Sequence, residues 1–516
     1  MGNISTAVPQ NLISRVVGYV LTRGQQQVVS VNLPQRIALL GPANNANQAS
    51  LGGTPQPRQI TSAQEAADLY GYGSPIHQQA RILFPVTGGG LRGIPVFVYP
   101  QLEAGGATAT SIDINVTGTP SRNVSHRLLI NGRDNVDGEL YEINLVTTDT
   151  EATIKTKINN AINAVTGSSV TSVVMDVSGT DKVRATTKYR SSISAELMVS
   201  IDTRGDSAGL TYVIDNKVDG AGTENIATAL QQFGNEWNTI VTNPYGADKF
   251  DELETFNGTP SRTNPTGQYE GITFRPMVAL WGSRESSRNT LVGITGAEVR
   301  RNQVTNVLCP APNSGGNTWE AAANGALIVA TISQSSPHLA YGAQSYNDMP
   351  VPADNIIGDM ANYNDREVLA QNGASTVTLD NGRYTIQELI TTYRPAGEIP
   401  PSYRYVRDMM VHWNIRYGYL LREAEVVRDK ALSANETTVV VDNVIKPKEW
   451  IAELFDYADD LGGRALIANP AFMKESIQVG VGSSNPNRLE TRFAYETTGT
   501  VKIASTTAEA NFAFNL

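Results

Sequence analysis

Asn306-Val-Leu-Cys309, followed after a polar loop by Asn317-Thr-Trp-Glu-Ala-Ala-Ala-Asn-Gly-Ala-Leu-Ile-Val-Ala-Thr-Ile332, decides the fold. Val-Leu-Cys stopped by Pro310 reads as the buried end of a strand. Asn317 and Glu320 stand at capping-box spacing, so a long helix is expected over Ala321–Ile332. The same alternation extends toward the N-terminus. A helix at Asn225–Phe233 leads to a strand at Thr239–Thr242, and a helix near Asp248–Thr255 leads to a strand at Met277–Trp281. A further helix after Ser283 leads back to Asn306. Earlier still, Arg36-Ile-Ala-Leu-Leu-Gly41 is a short apolar strand. Ser62 and Glu65 form a capping box for a helix at Ala63–Tyr70 that stops at Gly71. Ser74 caps a second helix with Pro75 in its first position, before a strand at Ile94–Tyr99. Strands alternating with helices at this spacing imply a mostly parallel sheet covered by helices, an α/β core.

The rhythm breaks at Gly105-Gly106 and returns at Gly220-Ala-Gly-Thr223. Between them Ser111–Val116 and Leu140–Leu145 alternate as strands, and Val170–Val177 and Val183–Thr187 add two more. Thr148 and Glu151 have capping-box spacing before a helical stripe of Ile154, Ile158, Ile162 and Val165. This reads as a ββαββ module set into the α/β domain, making the chain α+β overall. The expected divisions are residues 1–22, 23–105, 106–219, 220–486 and 487–516: an N-terminal arm, the first part of the core, the inserted β-rich domain, the second part of the core, and the C-terminal strands and arm. Within the fourth, a Pro/Asn-rich crossing at Pro337–Tyr363 precedes Ser375–Ile386, whose Asn381-Gly382 marks a hairpin turn. An amphipathic segment at Val406–Lys430 and a helix at Pro447–Leu461 follow.

Both ends carry strand patterns without an evident partner. Arg15-Val-Val-Gly-Tyr-Val-Leu-Thr22 is rich in β-formers and follows an aperiodic stretch containing Pro9. Near the other end Leu489, Thr491, Phe493 and Tyr495 alternate with Arg488, Glu490, Arg492 and Ala494. Phe512, Phe514 and Leu516 then share one side of a last strand. Periodicity leaves open whether these strands join a sheet of their own chain or of another.

Composition excludes more than it identifies. The 516 residues carry 40 Lys+Arg against 50 Asp+Glu, a formal charge of −10, which opposes coating a phosphate backbone. Only 17% of residues are charged, against about a quarter in typical globular chains. Such a surface suits a chain that packs against copies of itself. Met1–Arg15 lacks the basic start and apolar centre of a secretory leader, and no apolar run is long enough to span a bilayer, so a soluble, cytoplasm-made protein is expected. Lone Cys309 cannot form an internal disulfide or a thiolate zinc site. His77, His126, His338 and His412 have no ligand spacing, and no cofactor or metal is expected. Gly88–Gly93 spells a dinucleotide fingerprint, but it follows a helix and precedes a strand, the reverse of what pyrophosphate binding needs. Gly205-Asp-Ser207-Ala-Gly209 spells a nucleophile elbow, but a strand follows it where a helix is required. Asp459-Asp460 and Glu423/Glu425 read as solvated helix faces. Arg407, Arg416, Arg422 and Arg428, beside Met409, Met410 and Trp413, read as the charged face of a surface helix that could meet a partner.

Four stretches resemble the contractile tail sheath proteins of bacteriophages, most closely those of Mu-like phages. They are Ser62–Ile76, the module segments Thr153–Ala164 and Arg184–Arg190, Gly373–Tyr393, and Asn487 onward. The third is the most specific, while 337–360 and 433–443 match less well. The resemblance implies a structural subunit and no enzyme. Subunits would form hexameric rings stacked helically around a tail tube protein, bounded by baseplate and tail terminator proteins, and would contract to drive the tube through the host envelope for genome ejection. It implies no nucleic acid partner, no membrane insertion, assembly in the host bacterial cytoplasm, and residence in the virion tail. It also supplies a partner for the terminal strands, since arms of such subunits add to sheets of their neighbours. Val16, Val17, Tyr19 and Leu21 would belong to one arm and Phe512, Phe514 and Leu516 to the other. Leu489, Phe493 and Tyr495 would lie on a receiving strand, Arg488–Tyr495, and the arginine-bearing helix would face the tube or a neighbour. Two other classes fit parts of the chain: a receptor- or glycan-binding module at residues 106–219, and a hydrolase using Ser207 or a carboxylate pair.

Overall fold

The computed structural model describes residues 32–91, 93–261, 263–397, 402–502 and 504–508. The chain packs as two compact units, one of residues 33–414 and 497 onward, the other of residues 415–496 with Asn32. The strand expected at 15–22 and the final strand at 508–516 fall outside the described residues or at their margin.

The larger unit is built on a six-stranded sheet in the order Asn306–Pro310, Val278–Ser283, Ile240–Asn243, Ile37–Pro42, Val96–Gln101 and Arg58–Ile60. The first five run parallel, with Ile37 opposite both Ile240 and Val96. The alternation of strand and helix therefore means what it implied. All six residues of Ile37–Pro42 are buried, which is why this strand carries no polar side chain. Arg58–Ile60 pairs antiparallel at the edge and was not anticipated; three residues between prolines and a capped helix give no periodic signal.

Helix Thr318–Ser335 lies on this sheet and is buried along most of its length. Two glycines allow the approach. A Cβ on Gly325 would sit 2.3 Å from Cys309 Sγ, and one on Gly282 would sit 1.9 Å from the Thr318 carbonyl oxygen. The Glu320 carboxylate accepts the Asn317 N–H at 3.0 Å, as their spacing predicts. Ser62 likewise accepts the Glu65 N–H at 3.1 Å, but the Glu65 carboxylate reaches the Thr61 N–H instead of completing the box at Ser62. Asn381 and Gly382 take φ of 51° and 71°, the left-handed pair that a two-residue turn between Thr376–Asp380 and Arg383–Glu388 requires.

Residues between Gln101 and Ala227 fold around a hydrophobic core of their own, from Ile112 to Leu210. The ββαββ reading is too simple. Thr211–Val218, Ser111–Thr117, Thr180–Thr187 and Val170–Val177 form a four-stranded antiparallel sheet, and Val199–Asp202, Val124–Ile130 and Glu142–Leu145 form a three-stranded one. Val124–Ile130 hid because His126 and Arg127 interrupt its apolar pattern. His126 is nevertheless buried, its Nδ1 2.7 Å from Tyr212 Oη and its Nε2 2.8 Å from the Asp206 carbonyl. The helix Glu151–Ala164 buries Ile154, Ile158 and Ile162 as expected, but its cap is Thr150 with Thr153, not Thr148 with Glu151. Asp149 is committed to the Val146 N–H and Lys157, which places the turn into the helix at Thr150, and Glu151 accepts from Gly118 N–H instead.

Polar contacts hold this module to the sheet domain. Arg133 meets Glu320 at 3.2 Å and Asp348 at 2.6 Å, and Glu196 accepts the Thr318 N–H at 2.7 Å. Where the chain returns from the module, fully buried Glu224 accepts from Ser191 Oγ at 3.0 Å, while its Oε1 has no hydrogen-bond partner among the described residues. Burial raises its carboxyl from 4.5 to about 7, with Glu103 adding to the rise and Lys249 opposing it.

Two predictions follow from this packing. Gly325→Ala gains about 1 kcal/mol of helix propensity but meets Cys309 Sγ, so a net loss of about 1–3 kcal/mol is expected in denaturant unfolding. Adding Cys309→Ala should recover part of that loss, and strictly additive effects would refute the clash. For Glu224, a raised folded-state value means that stability falls as pH rises from about 4.5 through about 7. Glu224→Gln should therefore raise the melting temperature at about pH 8, with the gain over wild type closing toward about pH 4.5. A gain independent of pH would show that the carboxyl titrates normally.

Candidate subunit interface

The smaller unit gathers Ile445, Trp450 and Leu454 as its core, with Tyr419, Leu432, Val479 and Leu489 packed around them. Helix Pro447–Gly463 supplies Trp450, Leu454, Tyr457 and Leu461, and Pro470–Ser476 follows. Tyr457 donates to the Ile415 carbonyl at 2.5 Å, fixing the first turn of this unit. Against the core lies an antiparallel pair, Gln478–Val481 with Leu489–Arg492. The receiving strand expected over Arg488–Tyr495 is thus four residues long as a ladder, because its partner segment is only that long.

The register fixes what each residue does. Gly482 N–H donates to the Arg488 carbonyl at 2.7 Å, so Arg488, Glu490 and Arg492 turn their backbone groups toward the partner strand. Leu489 and Thr491 turn theirs away, and among the described residues the sheet has no third strand. Side chains alternate as read from the sequence: residues 489, 491, 493 and 495 are half-buried and 490, 492 and 494 are exposed. Phe493 lies 5.5 Å from Tyr419, ring to ring, and Trp450 Nε1 donates to Thr491 Oγ1 at 3.0 Å. A concavity of about 770 Å³ borders these strands, lined by Tyr419, Gln478–Gly480 and Arg488–Arg492. The arrangement offers a strand edge beside an aromatic floor.

The remaining site residues divide. Val16, Val17, Tyr19, Leu21, Phe512, Phe514 and Leu516 lie outside the described residues. The first half of helix Val406–Val426 is not the amphipathic surface helix expected, because Val406, Arg407, Met409, Met410, Val411, Trp413 and Asn414 are all buried. Arg407 faces inward, donating to the His338 carbonyl, to Thr498 and to Asp408, so its charge is satisfied inside the chain. Burial lowers the Arg416 guanidinium below its usual value. Arg422 sits 5.4 Å from the Tyr457 ring centroid and 3.5 Å from Glu453. Only Arg428, paired with Glu423 at 3.0 Å, is largely exposed. Sequence reasoning missed Tyr419 and Trp450 as parts of this surface. Their place beside the strand pair depends on packing between segments far apart in sequence.

The catalytic readings find no assembled chemistry among the described residues. Ser207 is exposed on a turn between the strands Val199–Asp202 and Thr211–Val218, and both nitrogens of His126 have other partners. Asp459 pairs with Lys474 and Asp460 with Arg464. Burial raises the Cys309 thiol and lowers His77 to about 4. Among the described residues no helix is long and apolar enough to cross a membrane.

No protein-family model matches the chain. It is 23% identical over 443 residues to the Mu-like prophage FluMu tail sheath protein of Haemophilus influenzae, covering 84% of each chain. The sheath tail protein of Desulfitobacterium hafniense aligns over 93% of this chain and 99% of its own, at 10% identity and a TM-score of 0.42. A chain of the anti-feeding prophage baseplate aligns over 97% and 100%, at 9% identity and a TM-score of 0.45. The chain is thus similar in sequence to a prophage tail sheath protein, the kind of protein that its sequence motifs resemble.

Thr491→Val keeps the side-chain shape but removes the acceptor of Trp450 Nε1. It should cost about 1 kcal/mol in the unfolding of the smaller unit and speed amide exchange in residues 489–492. Unchanged exchange there would show that the bond does not hold the strand.

Proposed function

We propose that this chain is the structural subunit of a contractile tail sheath, joined to its copies by exchange of terminal strands. The observation that carries the reading is the outward-facing backbone of Leu489 and Thr491 beside the Tyr419–Trp450 floor, in a chain similar to a prophage tail sheath protein. An arm strand from a second copy would extend this pair by β-augmentation, with alternate side chains entering the adjoining concavity. Subunits linked this way form hexameric rings stacked helically around a tail tube, end on baseplate and terminator proteins, and shorten to drive the tube through the host envelope. The chain performs no catalysis in this role and resides in the virion tail.

Magnitudes indicate which part of an arm matters. Each ladder hydrogen bond contributes about 1 kcal/mol, while ordering each arm residue costs about 1–2 kcal/mol. Backbone pairing alone therefore gives nothing net. Burying Phe512, Phe514 and Leu516, at about 1.5–3 kcal/mol each, supplies the surplus.

Negative-stain microscopy of the purified chain should show sheath-like tubes. Deleting residues 1–22, or substituting Phe512→Ser with Phe514→Ser, should leave folded monomers or small oligomers. Tubes of normal length from both variants would overturn strand exchange.

A further inference from the structure

The chain leaves the larger unit after Asn414 and rejoins it at Thr497. Residues just beyond the return are held by side chains of the larger unit. Arg407 is 4% exposed. It donates to the Thr498 carbonyl through Nη1 and to Thr498 Oγ1 through Nη2, at 2.5 and 2.9 Å. The same guanidinium binds the His338 carbonyl through Nε and Nη2 at 3.1 and 2.9 Å, and Asp408 at 3.0 Å. Four residues further on, Lys502 Nζ reaches the Glu388 carboxylate and lies 3.5 Å from the centroid of the Tyr405 ring. The cradle is itself rigid, since the Thr391 N–H donates to the Arg404 carbonyl and the Val406 N–H to the Leu389 carbonyl.

We propose that Arg407, assisted by Lys502, is the positioning residue of the C-terminal arm: it fixes residues 497–502 on the larger unit, so that the following segment departs from a set point toward a second copy of this chain. The inference rests on the strand-exchange reading above. Arginine suits the task because its planar fork binds two carbonyls, a hydroxyl and a carboxylate at once, which an ammonium cannot do. The anchor acts by ordering and aiming the segment before the partner arrives, which reduces what binding must order.

The test uses the full chain with Arg407→Lys, Thr498→Val and Lys502→Ala, and a form ending at Lys502. Hydrogen exchange of peptides covering 497–502 and the protein concentration needed for tube formation are measured. Arg407→Lys and Thr498→Val should each speed exchange at 497–502 about tenfold, the weight of one charge-assisted hydrogen bond. Exchange of the central strand Ile37–Pro42 should not change, and the tube threshold should rise. Lys502→Ala should do the same more weakly, its partners being half-exposed. Unchanged exchange at 497–502, a uniform rise across the chain, or faster exchange with an unchanged threshold would each overturn the anchor. The form ending at Lys502 reports on the C-terminal arm itself: its failure to form tubes supports exchange of that arm, and normal tubes from it overturn a role for that arm, and with it the anchor, whatever Arg407 does.

Discussion

The close approach of helix Thr318–Ser335 to the parallel sheet is the constraint on which the larger unit depends. It requires two positions with no side chain, Gly325 over Cys309 and Gly282 under Thr318. Once the helix lies that close, its first turn becomes a buried polar centre whose free N–H groups need acceptors. The chain answers with acidic groups from two directions: Glu320 from the helix itself and Glu196 from the inserted module. Burial raises the Glu196 carboxyl, but the Thr318 hydroxyl and N–H, together with the Arg284 charge, pull it back. Arg133 then bridges Glu320 and Asp348. The module is thus fastened through the same helix terminus that organises the sheet.

This arrangement explains why some of the architecture was legible and some was not. Strands of the parallel sheet are covered on both faces, so they read as continuous apolar runs, and the caps at Ser62, Ser74 and Asn317 mark the helices between them. Inside the module the signal weakens. His126 lies in a strand with both ring nitrogens satisfied by partners some eighty residues away, Tyr212 and Asp206. A local pattern cannot report such a partner, so this strand carries no legible signal. The cap of the module's helix moved by two residues for a similar reason, since Asp149 is held by Lys157 and the Val146 N–H.

Helix Val406–Val426 shows the converse error. Its arginines suggest a charged outer face, yet most of the first two turns is buried and Arg407 points at backbone carbonyls. Charge in a sequence marks a surface only when nothing in the fold supplies acceptors. Here His338 and Thr498 supply them, from segments about seventy and ninety residues away. The alternation at Leu489–Tyr495 was legible because one face rests on Tyr419 and Trp450 and the other meets solvent. What stayed invisible was the length of the ladder, which Gln478–Val481 sets.

An unpaired strand edge is ordinarily a hazard, because any extended chain can add to it. The pair at Gln478–Val481 and Leu489–Arg492 limits that hazard in three ways. It is short, so few backbone bonds are on offer. Glu490 and Arg492 place opposite charges on the exposed face, with Arg488 paired to Glu490 at 2.9 Å, which discourages a second sheet from stacking there. The half-buried face is occupied by Tyr419, Phe493 and Trp450, so an incoming strand must present residues that fit this aromatic floor. A short edge cannot hold a partner by backbone bonds alone, and selection passes to side chains. Under the strand-exchange proposal, that is the property needed by a joint that must close with the right strand and refuse others. The same proposal fits a chain with only 17% charged residues: a surface that copies of the chain would cover keeps its charge for the few positions that decide what docks.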